Sequence, residues 1–352
     1  MIDKNFWHGK KVFITGHTGF KGSWLSLWLF EFGAQLYGYS LKPPAGENLF
    51  DCAAVEKCYK SSYINDINDF KSLKNAMAES DPDIVIHMAA QPLVRRSYDD
   101  PIYTYQTNVL GTVNFLESIK SCNNIKAALI ITTDKCYENN EWCWGYREND
   151  RLGGYDPYSS SKACAELVTS AYRQSFFGRT NVALASARAG NVIGGGDWAK
   201  DRLIPDCFKA ISEKRCIKIR SPKAIRPWQH VLEALHGYLS LLEYLYSDGQ
   251  QFAESWNFGP NDESAVEVRT VIDMLCDKLD GTYEICASDN SRHEAGYLKL
   301  DCSKAHSRLK WQPVLTLDKA VECTALWYES YLRGDNMHKL TLKQIETYMK
   351  MI

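Results

Sequence analysis

A doubly wound α/β fold, with a parallel sheet covered by helices on both faces, is predicted by three features of the 352-residue chain. The first half alternates short apolar runs with helical stretches in regular order. Those runs are continuously apolar, as strands buried on both faces require. A glycine-rich segment follows the first run directly and opens a helix.

Lys11-Val12-Phe13-Ile14-Thr15 predicts the first strand, and residues 19–32 the first helix. Residues 35–39 predict a second strand, and residues 70–78 a helix. Asp81-Pro82 punctuates the chain before a strand over 83–88. Further strands are expected over 127–132 and 182–187, with helices over 102–120 and 158–176. After Ala189 the rhythm loosens, and Gly194-Gly195-Gly196 and Ser221-Pro222 mark loops. The expected organisation is a larger lobe over 1–188 and a smaller, interleaved α/β lobe over 189–352, with some segments of the second returning to the first.

Bulk composition narrows the function class. Apolar residues make up 45% and charged residues 24%, with a formal net charge of -2, which is ordinary for a globular protein. Such a balance argues against nucleic acid or an acidic membrane as partner. Twelve cysteines are scattered without Cys-x-x-Cys or zinc spacing, so no metal is expected. Free thiols and the lack of a signal-type apolar core at the start predict a reduced, cytoplasmic setting. Cys136 reads as a small apolar neighbour of the site proposed below. No apolar run approaches the roughly 20 residues of a membrane span.

The segment Gly16-His17-Thr18-Gly19-Phe20-Lys21-Gly22 has the form G-x-x-G-x-x-G. Its first glycine permits the tight turn, its second the approach of a pyrophosphate, and its third close packing of helix on sheet. Phosphates then meet the positive end of the helix. This predicts a Rossmann-type dinucleotide site. The second strand ends in Ser40-Leu41-Lys42, with no acidic residue for the adenosine ribose; Ser40 is the available acceptor, and this loop does not decide between NAD and NADP. Asp66-Ile67 fits the adenine, and Asp66 fits equally well as a helix N-cap.

Tyr158-Ser159-Ser160-Ser161-Lys162 places tyrosine and lysine one helical turn apart on one face. A tyrosine titrates near 10, and an ammonium one turn away favours the phenolate. Thr132-Thr133-Asp134-Lys135 stands at the carboxyl end of a predicted strand, where sites in open parallel sheets form. Thr133 suits a substrate hydroxyl, and Asp134 and Lys135 supply an acid and a base side by side.

Together these segments, with His87-Met88-Ala89-Ala90-Gln91 and Thr107-Asn108-Val109-x-Gly111-Thr112, resemble the extended short-chain dehydrogenases that act on nucleotide sugars. A narrower resemblance, to the CDP-glucose 4,6-dehydratases of that family, is carried by residues 17–24, Gln91-Pro92-Leu93-Val94-Arg95, residues 190–198, Arg226-Pro227-Trp228-Gln229-His230-Val231 and His293-Glu294-Ala295. It covers nearly the whole chain. The resemblance implies NAD as cofactor, with Ala89, Ala90, Gln91 and Asn108 among its contacts, and CDP-glucose as substrate. It implies oxidation at carbon 4, elimination of water across carbons 5 and 6, and hydride return to carbon 6, in deoxysugar synthesis of the O-antigen type. The resemblance further implies that Tyr158 takes the 4-hydroxyl proton, that Thr133 holds that hydroxyl, and that Lys162 binds the nicotinamide ribose and depresses the tyrosine pKa. Asn191 and Arg226 are expected at the substrate diphosphate. Arg202 and Glu294 fit either that role or an internal salt bridge. A homodimer or homotetramer is implied, built on the helices over 102–120 and 158–176.

One departure stands out. The dTDP-glucose dehydratases carry Asp-Glu after the threonine, whereas here Asp134 is followed by Lys135. Lys135 then fits as the carbon-5 base, or as a partner of Asp134 that stabilises the enolate. Inverting UDP-N-acetylglucosamine dehydratases also show Thr-Asp-Lys, and so remain a competing reading. Epimerases usually lack the acid and base pair, and a non-catalytic NAD-binding scaffold has no call for an intact Thr133, Tyr158 and Lys162.

Overall fold

The computed structural model describes residues 2–286 and 295–352. Strands β1 (Lys11–Thr15), β2 (Gln35–Ser40), β3 (Tyr59–Ile64), β4 (Ile84–His87), β5 (Ala127–Ile131), β6 (Ala183–Arg188) and β7 (Ser255–Asn257) form one sheet, ordered β7-β6-β5-β4-β1-β2-β3. Every neighbouring pair is parallel, as the sequence predicts. Alternate residues point to opposite faces. Val12, Ile14, Ile84 and Ile86 therefore join the core on one side, and Phe13 and Val85 the core on the other. Burial on both faces explains the continuous apolar runs.

Two strands escape the sequence reading. β3 has the sequence YKSSYI and no fully buried residue, because it is an edge strand. β7, at the other edge, is only three residues long.

Helices α1 (Phe20–Glu31), α2 (Phe70–Ser80), α3 (Gly111–Ile119) and α4 (Pro157–Tyr172) flank the sheet. The helix expected over 102–120 is broken into Pro101–Tyr105, a wide π turn at Gln106–Leu110, and α3. That turn carries Asn108 inward against Gln91, with Asn108 Oδ1 accepting from the Gln91 amide at 2.8 Å. The helix expected over 158–176 ends likewise in a π turn, Arg173–Phe177.

Beyond residue 189 come short paired strands: Val192–Ile193 with Gln229–His230, Ile225–Pro227 with Ala265–Glu267, and Ile217–Ile219 with Tyr283–Ile285. Helices Leu317–Leu332 and Met337–Met349 then return toward α1, where Trp28 meets Tyr348 edge to face with ring centres 5.7 Å apart. No helix among the described residues is long and apolar enough to cross a membrane. The strand order reverses between β1 and β4, and ligands of open α/β sheets bind outside the carboxyl ends of the strands at such a switch point.

Candidate active site

The glycine segment leaves β1 at this switch point. Gly16 has φ +74°, and a Cβ there would stand 2.6 Å from the Ala89 nitrogen. At Gly22 a Cβ would stand 2.4 Å from the Gly16 carbonyl oxygen. Both positions thus exclude any side chain, and α1 starts with backbone amides that no side chain caps. This is a cradle of the kind that holds a pyrophosphate. Thr18, Phe20, Lys21, Ser40, Asp66, Ile67, Ala89 and Ala90 line the same cleft.

Three of the expected cofactor contacts behave differently. His17 turns its imidazole beneath the loop, where Nε2 lies 2.8 Å from Ser62 Oγ and the ring packs on Tyr59. Gly38 leaves room for it, since a Cβ there would stand 2.6 Å from the ring. Burial lowers the His17 pKa to about 4, so the ring is neutral. Gln91 and Asn108 also do not line the cleft. They bond each other, and Asn108 Nδ2 donates to Ser161 Oγ at 2.9 Å, tying the loop after β4 to α4. Asp66 is not a helix N-cap: Asp69 caps α2, while Asp66 accepts from the Asn68 amide at 2.9 Å. The Ser40 hydroxyl lies 2.8 Å from Thr18 Oγ1, which braces the glycine loop against β2.

Across the cleft, β5 runs into the turn that carries Thr133, Asp134 and Lys135. Thr133 Oγ1 donates to Asp134 Oδ1 at 2.9 Å. Asp134 Oδ2 is buried without a hydrogen-bond partner among the described residues and lies against Gly190, where a Cβ would be 1.9 Å away. Helix α4 brings Tyr158 and Lys162 to face this turn. Asp156 caps it by accepting from the Ser159 amide at 2.9 Å, and Pro157 occupies its first position.

The electrostatics depart from the expectation that Lys162 makes Tyr158 acidic. Burial pushes the Tyr158 pKa up to about 12, against a hydrogen bond with Thr133 and the charge of Arg202. Tyr158 is therefore held as the phenol at neutral pH, and the charge of Arg202 opposes that rise. Lys162 instead donates from Nζ to the Ile131 carbonyl oxygen at 3.1 Å. Its pKa falls to about 8 through burial, with Glu166 and Cys136 opposing the fall. Lys21 falls further, to about 7, through burial and the charges of Arg202 and Lys162. Cys136 is fully buried with its pKa raised by desolvation, in keeping with an inert neighbour.

On the far side, Asn191 sits at φ +47° and lines the cleft together with Arg202 and Arg226. Of the two roles open to Arg202 from the sequence, the internal salt bridge is the one formed. It pairs with Asp197, Nη1 to Oδ2 at 2.8 Å, and that pair holds the guanidinium at the cleft wall. Arg226 Nη1 donates to the Ile225 carbonyl oxygen at 2.9 Å. Glu294 lies outside the described residues. The cleft lined by Thr133, Asp134, Lys135, Tyr158, Lys162, Asn191, Arg202 and Arg226 measures about 1920 Å³. Among the described residues no three His, Cys, Asp or Glu side chains converge to hold a metal.

Sequence reasoning missed Gly190, Asp197, Glu166 and Arg188. Glu166 alone had a local signal, since it continues the Tyr158 and Lys162 stripe by one further turn.

Residues 13–324 match the family described as GDP-mannose 4,6-dehydratase. The chain belongs to that family. Among family relatives, the CDP-glucose 4,6-dehydratase of Salmonella typhimurium LT2 is 54% identical over 99% of both chains. A dTDP-glucose 4,6-dehydratase of Haemophilus influenzae is 26% identical over 90% of this chain and 97% of its own. DesIV of Streptomyces venezuelae, a dTDP-glucose 4,6-dehydratase solved with NAD and TYD bound, superposes with a TM-score of 0.79 at 21% identity, covering 92% of this chain and 98% of its own. At that identity the superposition speaks for the shared fold.

Proposed function

We propose that this protein is an NAD-dependent CDP-glucose 4,6-dehydratase, converting CDP-D-glucose to CDP-4-keto-6-deoxy-D-glucose and water. The observation that carries this reading is the convergence, in one cleft, of the Thr133-Asp134-Lys135 turn with Tyr158 and Lys162, in a chain 54% identical end to end to an enzyme of that name. The lobe over 1–188 would hold NAD and the lobe over 189–352 most of the nucleotide sugar.

The residues present fit the cofactor. The side-chain-free cradle at Gly16 and Gly22, the uncapped start of α1 and the adjacent Lys21 suit a pyrophosphate, and Asp66 and Ile67 suit the adenine end. When bound, NAD supplies a hydride acceptor at carbon 4 and a hydride donor at carbon 6 of the same sugar.

The protein's own part is proton movement. Tyr158, as the phenolate, receives the proton of the 4-hydroxyl, which Thr133 orients. The charge of Arg202 favours the phenolate against burial, which on balance raises the phenol to about 12. Thr133 Oγ1 donates to Asp134 Oδ1, which fixes the hydroxyl beside the acid. Lys135 removes the carbon-5 hydrogen that the new ketone has acidified. Asp134 protonates the departing 6-hydroxyl, which leaves as water. Lys135 then returns its proton to carbon 5, and no net redox change remains. Asn191 and Arg226 hold the diphosphate, the guanidinium by forked hydrogen bonds to phosphate oxygens.

A homodimer belongs to the same reading. Ile102 (71% exposed), Leu110 (54%) and Leu167 (59%) stand out from neighbouring helices and suit an isologous four-helix contact. A monomeric sedimentation profile at micromolar concentration would remove it.

The activity test is direct. Protein, NAD and CDP-glucose are incubated and then made alkaline, which develops near-ultraviolet absorbance from a 4-keto-6-deoxy product. UDP-, dTDP- and GDP-glucose run in parallel decide the base, and UDP-N-acetylglucosamine tests the competing dehydratase. Absence of turnover with all of them overturns the enzyme reading.

A further inference from the structure

Behind the reactive groups lies a buried ion pair with no part in the steps above. Glu166 and Arg188 are 2.8 Å apart, with side chains 1% and 2% exposed. Such a pair barely recovers its desolvation cost by attraction alone, so its remaining hydrogen bonds matter. Glu166 Oε1 accepts from Thr132 Oγ1 at 2.5 Å. Glu166 Oε2 accepts from Ser186 Oγ at 2.7 Å and Ser255 Oγ at 3.1 Å, as well as from Arg188. From the other member, Arg188 Nη1 donates to Tyr137 Oη at 2.6 Å and to the Glu148 carbonyl oxygen at 3.0 Å.

Thr132 and Tyr137 are the two ends of the turn that carries Thr133, Asp134 and Lys135. One carboxylate therefore holds the entry of the turn, and its guanidinium partner holds the exit. The carboxylate itself rides on α4, one turn beyond Lys162 and two beyond Tyr158. In the same neighbourhood Lys162 Nζ bonds the Ile131 carbonyl oxygen, one residue before the turn.

We propose that the Glu166–Arg188 pair is a positioning device for the reaction, fixing the Thr133-Asp134-Lys135 turn at its working distance from Tyr158 and Lys162 through Thr132 and Tyr137. This rests on the dehydratase reading for its kinetic consequence and on the hydrogen-bond geometry for its structural one. Neither member of the pair lines the cleft. Both act through the residues they hold.

Two variants each remove one tether and leave the ion pair intact. Thr132→Val replaces a hydroxyl by a methyl group, and Glu166 keeps Ser186, Ser255 and Arg188. Tyr137→Phe removes the exit tether together with the hydrogen bond that Tyr137 Oη donates to Asn257 Oδ1 at 2.8 Å. In the NAD-loaded protein, each is expected to lower kcat for dehydration, by up to about 100-fold if the turn shifts by roughly 1 Å. KM for CDP-glucose and affinity for NAD are expected to stay near wild type, and Thr132→Ser is expected to restore kcat. Amide hydrogen exchange over 132–137 is expected to accelerate in both variants, and the double variant to lose less than the two single losses combined. Unchanged exchange over 132–137 overturns the proposal, as does unchanged kcat in both variants. A parallel loss of kcat, KM and stability that serine does not repair also overturns it, leaving a structural pair only. If wild type turns over no nucleotide sugar, the dehydratase reading fails, and the exchange measurement still decides whether the pair holds the turn.

Discussion

Gly190→Ala is the substitution whose effect follows most directly from the coordinates. A Cβ at position 190 would stand 1.9 Å from Asp134 Oδ2, 2.1 Å from its Cγ and 2.4 Å from Oδ1. Gly190 is outside the positive-φ region, so alanine meets no backbone strain there, only lack of space. Bringing 1.9 Å to an ordinary contact of 3.4 Å displaces the carboxylate by about 1.5 Å. Misplacing a catalytic group by 1 Å costs on the order of 100-fold, or about 2.7 kcal/mol of barrier. Dehydration should therefore slow by at least about that factor. Oxidation at carbon 4, which uses Tyr158, should survive. The assay is a single turnover with CDP-glucose, following reduced cofactor and keto-deoxy product together. Reduced cofactor is expected to accumulate while product lags. Overpacking also destabilises by about 1–3 kcal/mol, so a melt accompanies the kinetics. The decisive comparison adds Gly190→Ala to Asp134→Ala: with the carboxylate gone, the new methyl group has nothing to displace and should slow dehydration no further. Unchanged dehydration in Gly190→Ala, or full additivity in the double variant, refutes the assignment of Asp134 as the acid.

Other outcomes follow from the same geometry. Lys135→Ala should abolish dehydration while leaving an initial reduction of NAD measurable, and normal dehydration by this variant would reject Lys135 as the base. Gly22→Ala would place a Cβ 2.4 Å from the Gly16 oxygen and 2.7 Å from the His17 Cα, so titration should show weakened NAD binding. Burial alone would raise the Glu166 pKa, but Arg188 with Thr132 and Ser186 holds it at about 2, below the ordinary 4.5. A carboxyl with its folded pKa depressed contributes stability above the unfolded value, and that contribution is lost as pH falls from about 4.5 toward 2. Glu166→Gln should thus flatten the acid limb of a urea-unfolding series, and should cost about 3–5 kcal/mol at neutral pH by leaving Arg188 unpaired. Lys21, at about 7, is mostly neutral at pH 8, and a bound diphosphate favours its charged form. Ligand binding at pH 8 should take up protons, read as a dependence of calorimetric heat on buffer ionisation enthalpy that Lys21→Met reduces.

Much of this site was legible because local rules carry it. A parallel strand buried on both faces must be apolar throughout, so β1, β4, β5 and β6 announce themselves. Gly16 and Gly22 are required by a turn and a contact within seven residues, and Tyr158 and Lys162 by one helical turn. Legibility ends where a residue's meaning depends on a distant neighbour. Gly190 makes room for Asp134, 56 positions earlier, and nothing in its own segment says so. Arg188 meets Glu166 only because β6 lies beside α4. His17 shows the opposite failure. Its place in the glycine motif suggests a cofactor contact, yet which side of the loop it faces is set by the space above Gly38. β3 was invisible because an edge strand has no call for an apolar run.

The revised electrostatics recast what the tyrosine and lysine do. Taken as an isolated motif, Lys162 lowers the tyrosine pKa by proximity. In the folded protein Lys162 is committed to the Ile131 carbonyl oxygen and is itself losing its proton affinity to burial. The cation bearing most on Tyr158 is Arg202, whose charge is sustained by Asp197 from five residues upstream. Arg202 belongs to the lobe proposed to grip the nucleotide sugar, while Tyr158 belongs to the one proposed to grip the cofactor. Arg202 and Lys162 also press on Lys21, so three cations share a site in which the charge of Lys21 is weakened by the other two. Such repulsion is relieved by anions placed among them, and a dinucleotide with a nucleotide diphosphate sugar brings two diphosphates. The acidity of the tyrosine is then set by burial and by the charge of Arg202, and not by the four-residue spacing alone.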